Sequence, residues 1–186
     1  MKEIIVVDIE TSGFQQEGGL IVEVGMVSLN LDTGVISDEF NEIVQENGFG
    51  EKHARDPFGW IFKNSDLRYE AVLRSRNLLA LIPEMQTVLD KFPSGATAFN
   101  KQFDFGFLKS RGLRIRELPC IMLSAAPVVN LPPNPGYFTP KWPKVQEAWD
   151  FFFPGSGYIE THRALDDARH EAMIAYELYK LGRFRV

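Results

Sequence analysis

Residues 3–11 read Glu-Ile-Ile-Val-Val-Asp-Ile-Glu-Thr. The Ile/Val run before Asp8 is typical of a strand buried on both faces at the middle of a sheet. Asp8 and Glu10 are two residues apart, so both side chains leave such a strand on the same face. The carboxyl ends of strands are where α/β sheets usually bind ligands, and carboxylate oxygens are ligands that Mg²⁺ and Mn²⁺ prefer. The stretch therefore predicts a metal-binding strand end, and two solvated acids are the alternative interpretation.

The sequence around this strand predicts a β-meander followed by alternating helices and strands. Residues 20–29 and 35–44 are two more predicted strands, joined by a hairpin turn over 30–34. Beyond a surface loop over 45–65, we expect helical structure over 66–92 divided near Pro83, a strand over 95–99, a helix over 100–112, a strand over 119–124, an irregular Pro-rich stretch over 125–141, and helices around 145–152 and 164–181. This order predicts an α/β fold of three layers, with a central mixed sheet flanked by helices.

Composition limits the class of protein. The length suits one domain over 1–186, and no apolar run approaches the roughly 20 residues of a membrane span. The single Cys120 excludes an internal disulfide and fits a reducing compartment, so we expect a cytoplasmic protein with no membrane partner. The net charge of -5 argues against a protein that coats nucleic acid non-specifically, because phosphate binding depends on Lys and Arg. It does not exclude an enzyme that grips one strand end.

A third acid, Asp104, lies in a predicted helix among Phe103, Phe105 and Phe107. On that helix it shares a face with Asn100, so an inward-facing carboxylate is one interpretation. An exposed acid of the first turn, stabilised by the helix dipole, is the other.

The last helix carries two adjacent acids that periodicity separates. Asp167 aligns with an inward stripe formed by Ala164, Glu171, Ile174 and Leu178, whereas Asp166 aligns with the polar Arg169, His170 and Glu177. The pattern predicts Asp167 as the inward acid. His162 precedes this helix, where a loop can carry it over the site, while His53 and His170 are expected to be structural or solvated.

These segments resemble the DEDDh-type 3′–5′ exonucleases, which include the proofreading epsilon subunit of DNA polymerase, ribonuclease T and oligoribonuclease. Asp8–Phe14 matches Asp-x-Glu-Thr followed by a small residue, Gly and a large apolar residue. Asn100–Leu108 matches Asn-x-x-Phe-Asp-x-x-Phe-Leu, and His162–Ala168 matches His-x-Ala-x-x-Asp-Ala. The resemblance spans residues 3–180, implies a ribonuclease H-like fold and also selects Asp167 over Asp166.

The resemblance implies a metal-dependent enzyme that releases 5′-mononucleotides from single-stranded 3′ ends of DNA or RNA. Two Mg²⁺ ions per site, replaceable by Mn²⁺, would be held by Asp8, Glu10, Asp104 and Asp167, with Asp8 bridging both. His162 would take the proton from the attacking water. These five residues are the predicted catalytic set.

The family's substrate contacts fall on Thr11, Ser12, Phe14 and Asn100. Thr11 and Ser12 would hold the terminal sugar and its 3′ hydroxyl. Phe14 would stack on the last bases, or cap the core instead. Asn100 would contact the terminal nucleotide, orient Asp104, or only cap its helix.

Other polar and aromatic residues carry a weaker prediction. Three basic residues are candidate phosphate contacts, with ion pairs to acids as their default role: Lys101, Arg163 and Arg169. Aromatic residues of 60–62 and of the Pro-rich stretch could line the strand path, but we predict core packing there, and also for Trp142, Trp149 and residues 151–153.

Several functional alternatives stay open at this stage. The chain could act as a proofreading subunit with a polymerase partner, as a homodimer, or as a nucleic-acid-binding module without catalysis. The sequence does not choose between DNA and RNA, or between single and double strands.

Overall fold

The computed structural model describes residues 2–186. Its five strands are β1 (Glu3–Thr11), β2 (Ile21–Asn30), β3 (Ile36–Gln45), β4 (Arg76–Asn77) and β5 (Ala96–Thr97). They form one sheet in the order β4-β3-β2-β1-β5. β1, β2 and β3 pair as an antiparallel meander, whereas β5 is parallel to β1 and β4 is parallel to β3. The sheet is therefore mixed, as the sequence predicts.

Helices cover both faces of this sheet. They are α1 (Trp60–Asn64), α2 (Tyr69–Arg74), α3 (Leu78–Lys91), α4 (Lys101–Ser110), α5 (Ile121–Val129), α6 (Val145–Phe152) and α7 (Ala164–Lys180). Short 3₁₀ turns lie at Gln15–Glu17 and Glu51–Ala54. Within residues 2–186, no helix is long and apolar enough to cross a membrane.

The side chains of β1 divide between two apolar cores. Ile5, Val7 and Ile9 belong to the core that α3 and α4 complete on one face of the sheet. Ile4 and Val6 belong to the core that α5, α6 and α7 complete on the other face. The unbroken Ile/Val run therefore reflects burial on both faces, and Asp8 and Glu10 continue the face covered by α7.

Small residues let α7 approach the sheet closely. Ala168, Ala172 and Ala175 are fully buried in the core on that face. Gly25 of β2 lies opposite Asp8 in the strand register. A Cβ at position 25 would stand 2.3 Å from the carbonyl carbon of Ala164, where α7 begins. The missing side chain thus allows the start of α7 to lie against the strand end that carries the acids.

Three predicted elements differ in the structure. Residues 119–124 do not form a strand: α5 begins at Ile121, because Ile121 and Ala125, four residues apart, bury one helical face. The helix continues to Val129, so residues 125–129 are helical, whereas the sequence predicted an irregular stretch over 125–141. The division of residues 66–92 falls at 75–77 and not at Pro83, which lies inside α3. Four buried side chains at helical spacing outweigh the one helical hydrogen bond that Pro83 removes: Leu78, Leu81, Met85 and Leu89.

Candidate metal and catalytic site

The acids of the three motifs converge on one pocket of about 140 Å³ at the C-terminal end of β1. Asp8 and Glu10 reach it from β1, α4 contributes Asp104 and α7 contributes Asp167. His162, on the loop before α7, lines the same pocket. The structure thus brings together all five residues of the predicted catalytic set.

Two of the carboxylates are held in place by the backbone. Asp104 Oδ1 accepts a hydrogen bond from the Ile9 backbone N–H at 3.3 Å, which ties α4 to the strand between the first two acids. Asp167 Oδ2 accepts from the Arg163 N–H at 3.2 Å, and its Oδ1 accepts from the Tyr158 hydroxyl at 2.9 Å. Both acids are therefore oriented before any ligand enters.

The remaining carboxylate oxygens lack compensating charge. Asp8 Oδ2 is buried and has no hydrogen-bond partner among residues 2–186. Burial raises the pKa values of Asp8 and Glu10 well above their ordinary range, and neighbouring acids raise them further. Burial also raises the pKa of Asp104 to about 7 and raises that of Asp167. Such a cluster disfavours its own charged form until cations arrive.

Two further acids, which the motifs did not predict, line the pocket. Glu171, one turn after Asp167, is 2% exposed, and its Oε2 accepts from the Phe99 N–H at 3.2 Å. Its position on the inward stripe of α7 indicates an inward-facing side chain from the sequence alone. Glu160 lies on the preceding loop, and burial followed by the charge of Asp167 raises its pKa to about 7. Nothing in the local sequence distinguishes Glu160 from a solvated loop acid.

His162 lies at the mouth of the pocket. Its backbone adopts a left-handed conformation, with φ of 53°, and its ring packs edge-to-face against Trp60 at 4.8 Å between centroids. Its Nδ1 is 3.9 Å from Glu160 Oε1. The left-handed backbone, rare outside Gly, Asn and Asp, indicates that tertiary contacts hold this residue in position.

The donor set fits a divalent cation. Glu10, His162 and Asp167 each offer one ligand atom, and these atoms all lie within 4.8 Å of one another. The unpartnered Asp8 oxygen opens onto the same acids. Carboxylate oxygens are ligands that hard divalent cations prefer.

The neighbouring acid and the other histidines lie elsewhere. Asp166 points away from the pocket and accepts a hydrogen bond from the Thr161 hydroxyl at 2.9 Å. His170 stacks on Tyr158 at 3.6 Å between centroids. His53 is fully buried and stacks on Phe49. Both histidines are structural.

An apolar cleft of about 490 Å³ adjoins the acid pocket and shares Ile9, Glu10 and Phe103 with it. Thr11, Ser12 and Phe14 line this cleft. The Thr11 hydroxyl donates to the Gly13 carbonyl at 3.0 Å, and the Ser12 hydroxyl accepts from the Leu20 N–H at 3.0 Å. Both hydroxyls therefore stabilise the turn that follows β1.

Aromatic side chains form the walls of this cleft. Phe14 is 61% exposed, so it does not cap the core. Trp60, which the sequence placed in the core, is 51% exposed on the cleft, because the loop before α1 leaves it at the surface beside His162. Asn100 occupies the N-cap position of α4, is exposed, and makes no side-chain capping hydrogen bond within the described chain.

The basic residues near the motifs are engaged in ion pairs. Lys101 lies 3.0 Å from Glu117, and Arg169 pairs with Asp38. Arg163 binds Glu23 at 2.7 Å. All three therefore form the ion pairs with acids that were predicted as their default role.

Comparisons with known proteins agree with this geometry. No protein-family profile matches the chain. The chain is 30% identical over 178 residues to a DNA polymerase III of the PolC type from Clostridium perfringens; the match covers 92% of this chain but only 11% of that polymerase.

Solved structures resemble it over its whole length. A 3′-exonuclease described in 3′-end-specific recognition of the histone mRNA stem-loop has a TM-score of 0.69 and 17% identity, covering 100% of this chain and 85% of its own. The nuclease domain of 3′hExo, a DEDDh family member bound to rAMP, has a TM-score of 0.67 and 16% identity, covering 99% and 95%. The chain therefore has the ribonuclease H-like α/β fold of the DEDDh 3′-exonucleases, and the resemblance to that family predicted from three motifs is confirmed at the level of the fold.

Proposed function

We propose that this chain is a metal-dependent 3′–5′ exonuclease that releases 5′-mononucleotides from single-stranded 3′ ends. Mg²⁺ is the proposed cofactor, two ions per site, with Mn²⁺ as a substitute. The proposal includes a single exonuclease domain over 1–186 acting in the cytoplasm.

The observation that carries the proposal is the uncompensated acid pocket beneath an imidazole. Structural acids are normally paired with Lys or Arg, or hydrogen-bonded, when they are buried. Here Asp8, Glu10, Asp104 and Asp167 meet in one pocket with no Lys or Arg of residues 2–186 among its lining residues. An accessible cluster of this kind suits a protein that takes its positive charge from solution.

In this mechanism each residue has a distinct task. Asp8, Glu10, Asp104 and Asp167 would hold the cations, and Tyr158 keeps the Asp167 carboxylate oriented through its hydroxyl. Bound divalent cations supply an acidified water and stabilise charge on the phosphate. His162, at the mouth of the pocket, would accept the proton of that water, and Trp60 limits the rotation of its ring.

The terminal nucleotide would occupy the cleft walled by Phe14 and Trp60. Its sugar would lie against the turn that contains Thr11 and Ser12, and its base would stack on the exposed Phe14 ring. Asn100, which is exposed and lines the acid pocket, would contact the same nucleotide.

The test is decay of labelled single-stranded oligonucleotides, DNA and RNA in parallel, with Mg²⁺ or Mn²⁺. His162→Ala should lower turnover about 10²–10⁴-fold and retain both oligonucleotide binding and the rise in Tm that Mn²⁺ produces. Loss of that Tm rise would reassign His162 as a metal ligand. Turnover close to the unsubstituted protein's would refute the general-base role, and absence of metal-dependent decay on any strand would refute the function.

A second candidate is a proofreading nuclease that works beside a polymerase. The 30% identity to a PolC-type polymerase over 178 residues supports it. Addition of a replicative polymerase should then raise excision of a mismatched primer end above excision of a free single strand. Equal rates would favour the stand-alone enzyme.

A further inference from the structure

A second large cleft adjoins the acid pocket through residues other than those shared with the Phe14 cleft. It has a volume of about 660 Å³ and is formed mainly by residues 134–145. Phe99, Asn100 and Val145 line both this cleft and the acid pocket. The acid pocket therefore borders two clefts, each through a different set of lining residues.

Aromatic side chains of the loop between α5 and α6 stand exposed in and around the second cleft. Trp142 is 60% exposed and Tyr137 is 70% exposed, and both line it. The sequence predicted Trp142 in the core, and the structure overturns that prediction, because Trp142 lies on the loop before α6 and its side chain stays at the surface.

The base of this loop is anchored. An isolated antiparallel bridge joins Leu131 to Lys141. Glu147, in the first turn of α6, binds Lys141 Nζ at 2.5 Å and accepts from the Lys144 N–H at 2.9 Å. Trp142, which follows Lys141, is thus attached at the anchored base of the loop, and a preorganised position favours stacking.

The charge of the second cleft suits a phosphate backbone. Its charged lining residues are Lys141 and Lys144, and no carboxylate is among them within the described chain. Lys144 forms no ion pair among residues 2–186. A different cleft near the acid pocket carries four acids, namely Glu23, Asp66, Glu160 and Asp166. Its two arginines already pair with acids, so phosphates would be repelled there.

We propose that the second cleft binds the nucleotides on the 5′ side of the scissile phosphate in a single strand of nucleic acid. The inference rests on the proposed function, which puts the terminal nucleotide in the Phe14 cleft and the scissile phosphate at the acids. The strand then leaves through the second cleft, where Trp142 and Tyr137 stack on bases and Lys144 contacts a phosphate.

The experiment compares binding of two probes in the presence of Ca²⁺, which replaces Mg²⁺ to slow hydrolysis. A hexanucleotide, as DNA and as RNA, reaches both clefts, whereas a 5′-mononucleotide fills only the terminal one. Trp142→Ala should raise the Kd of the hexanucleotide about tenfold and leave that of the mononucleotide unchanged. Trp142→Phe, which keeps a stacking ring, should stay within about threefold.

Phe151→Ala is the matched control. Phe151 is exposed on α6, contrary to the core packing predicted for it, and it is not among the residues lining the second cleft. It should leave both Kd values unchanged. Equal effects of Trp142→Ala on the two probes, or none, would overturn the inference. So would a monomer–dimer shift in Trp142→Ala with an unchanged hexanucleotide Kd, which would assign the cleft to a second copy of the chain.

The same samples separate the two proposals. If the unsubstituted protein binds the hexanucleotide through Trp142 but never cleaves it with Mg²⁺ or Mn²⁺, the proposed function fails and the strand path stands. If it cleaves normally and Trp142→Ala changes nothing, the reverse holds.

Discussion

Glu10 and Glu23 face each other across β1 and β2, yet their surroundings are opposite. Both are buried, at 9% and 1% exposure. Glu23 receives hydrogen bonds from Arg163 Nε at 3.0 Å and from the Ala164 N–H at 3.2 Å. Glu10 forms no ion pair with any Lys or Arg of residues 2–186, and burial and Asp167 raise its pKa.

The contrast shows that this fold can neutralise a buried acid with its own arginine and does so one strand away from the pocket. Glu10 has no such partner among residues 2–186, which agrees with the proposed cation site. On the proposed function, Glu23 stabilises the fold and Glu10 takes part in the reaction. Three experiments test this distinction.

The largest effect is expected for Glu10→Gln. Turnover should fall about a thousandfold, roughly 4 kcal/mol at the transition state, because a cation ligand is lost. Without metal, the free energy of unfolding should stay level or increase, because an uncompensated buried charge is removed. Urea unfolding with and without Mn²⁺ measures the second quantity. Glu23→Gln should instead lower the free energy of unfolding. A lower free energy of unfolding in both variants would contradict the distinction.

Next in size is the effect of Arg163→Met on stability. Glu23 would keep its charge and lose its counter-ion, so unfolding should become easier by about 3 kcal/mol. Arg169→Met is the control, because its partner Asp38 is about half exposed and such pairs contribute at most about 1 kcal/mol. Equal losses in the two variants would contradict the special role of the Glu23 pair.

The smallest effect is a pH dependence of the metal-free protein. Asp104 and Glu160 have folded pKa values of about 7, raised from 3.8 and 4.5. The folded state therefore binds more protons than the unfolded state in this window, and stability falls as pH rises. Urea unfolding of the metal-free protein should therefore give a free energy of unfolding that falls between pH 5 and pH 8, as both acids lose their protons.

Mn²⁺ should reduce or reverse this slope, because metal binding favours the deprotonated acids. Asp104→Asn should flatten it in the metal-free protein. If the free energy of unfolding without metal rises steadily from pH 5 to pH 8, the pocket acids are charged and paired within the chain.

The sequence predicted the site best where its signals are local. The two-residue spacing of Asp8 and Glu10 and the 3.6-residue period of α7 indicate which faces their side chains take. The structure places Asp167, and not Asp166, in the pocket. The meander and the mixed sheet follow from the same kind of pattern.

The remaining features depend on contacts between segments far apart in the chain. Residues 121–129 are apolar enough for a strand or a helix, and only packing against α7 decides for the helix. Tyr158 and Glu160 matter because a loop folds back on Asp167, which no local period reveals. The exposure of Trp60 and Trp142 likewise depends on the paths of the loops before α1 and α6.

Gly25 shows how catalytic competence can depend on a residue without a functional group. Any side chain there would meet the backbone of Ala164, so α7 would have to move outward from β2. Asp167 and Glu171 would then separate from Asp8 while every acid remained in the sequence. A homologue with all three motifs intact and a bulky residue at this position would keep the sequence signature and lose the geometry of the acid pocket. Position 25 therefore bears on the proposed activity together with the acids themselves.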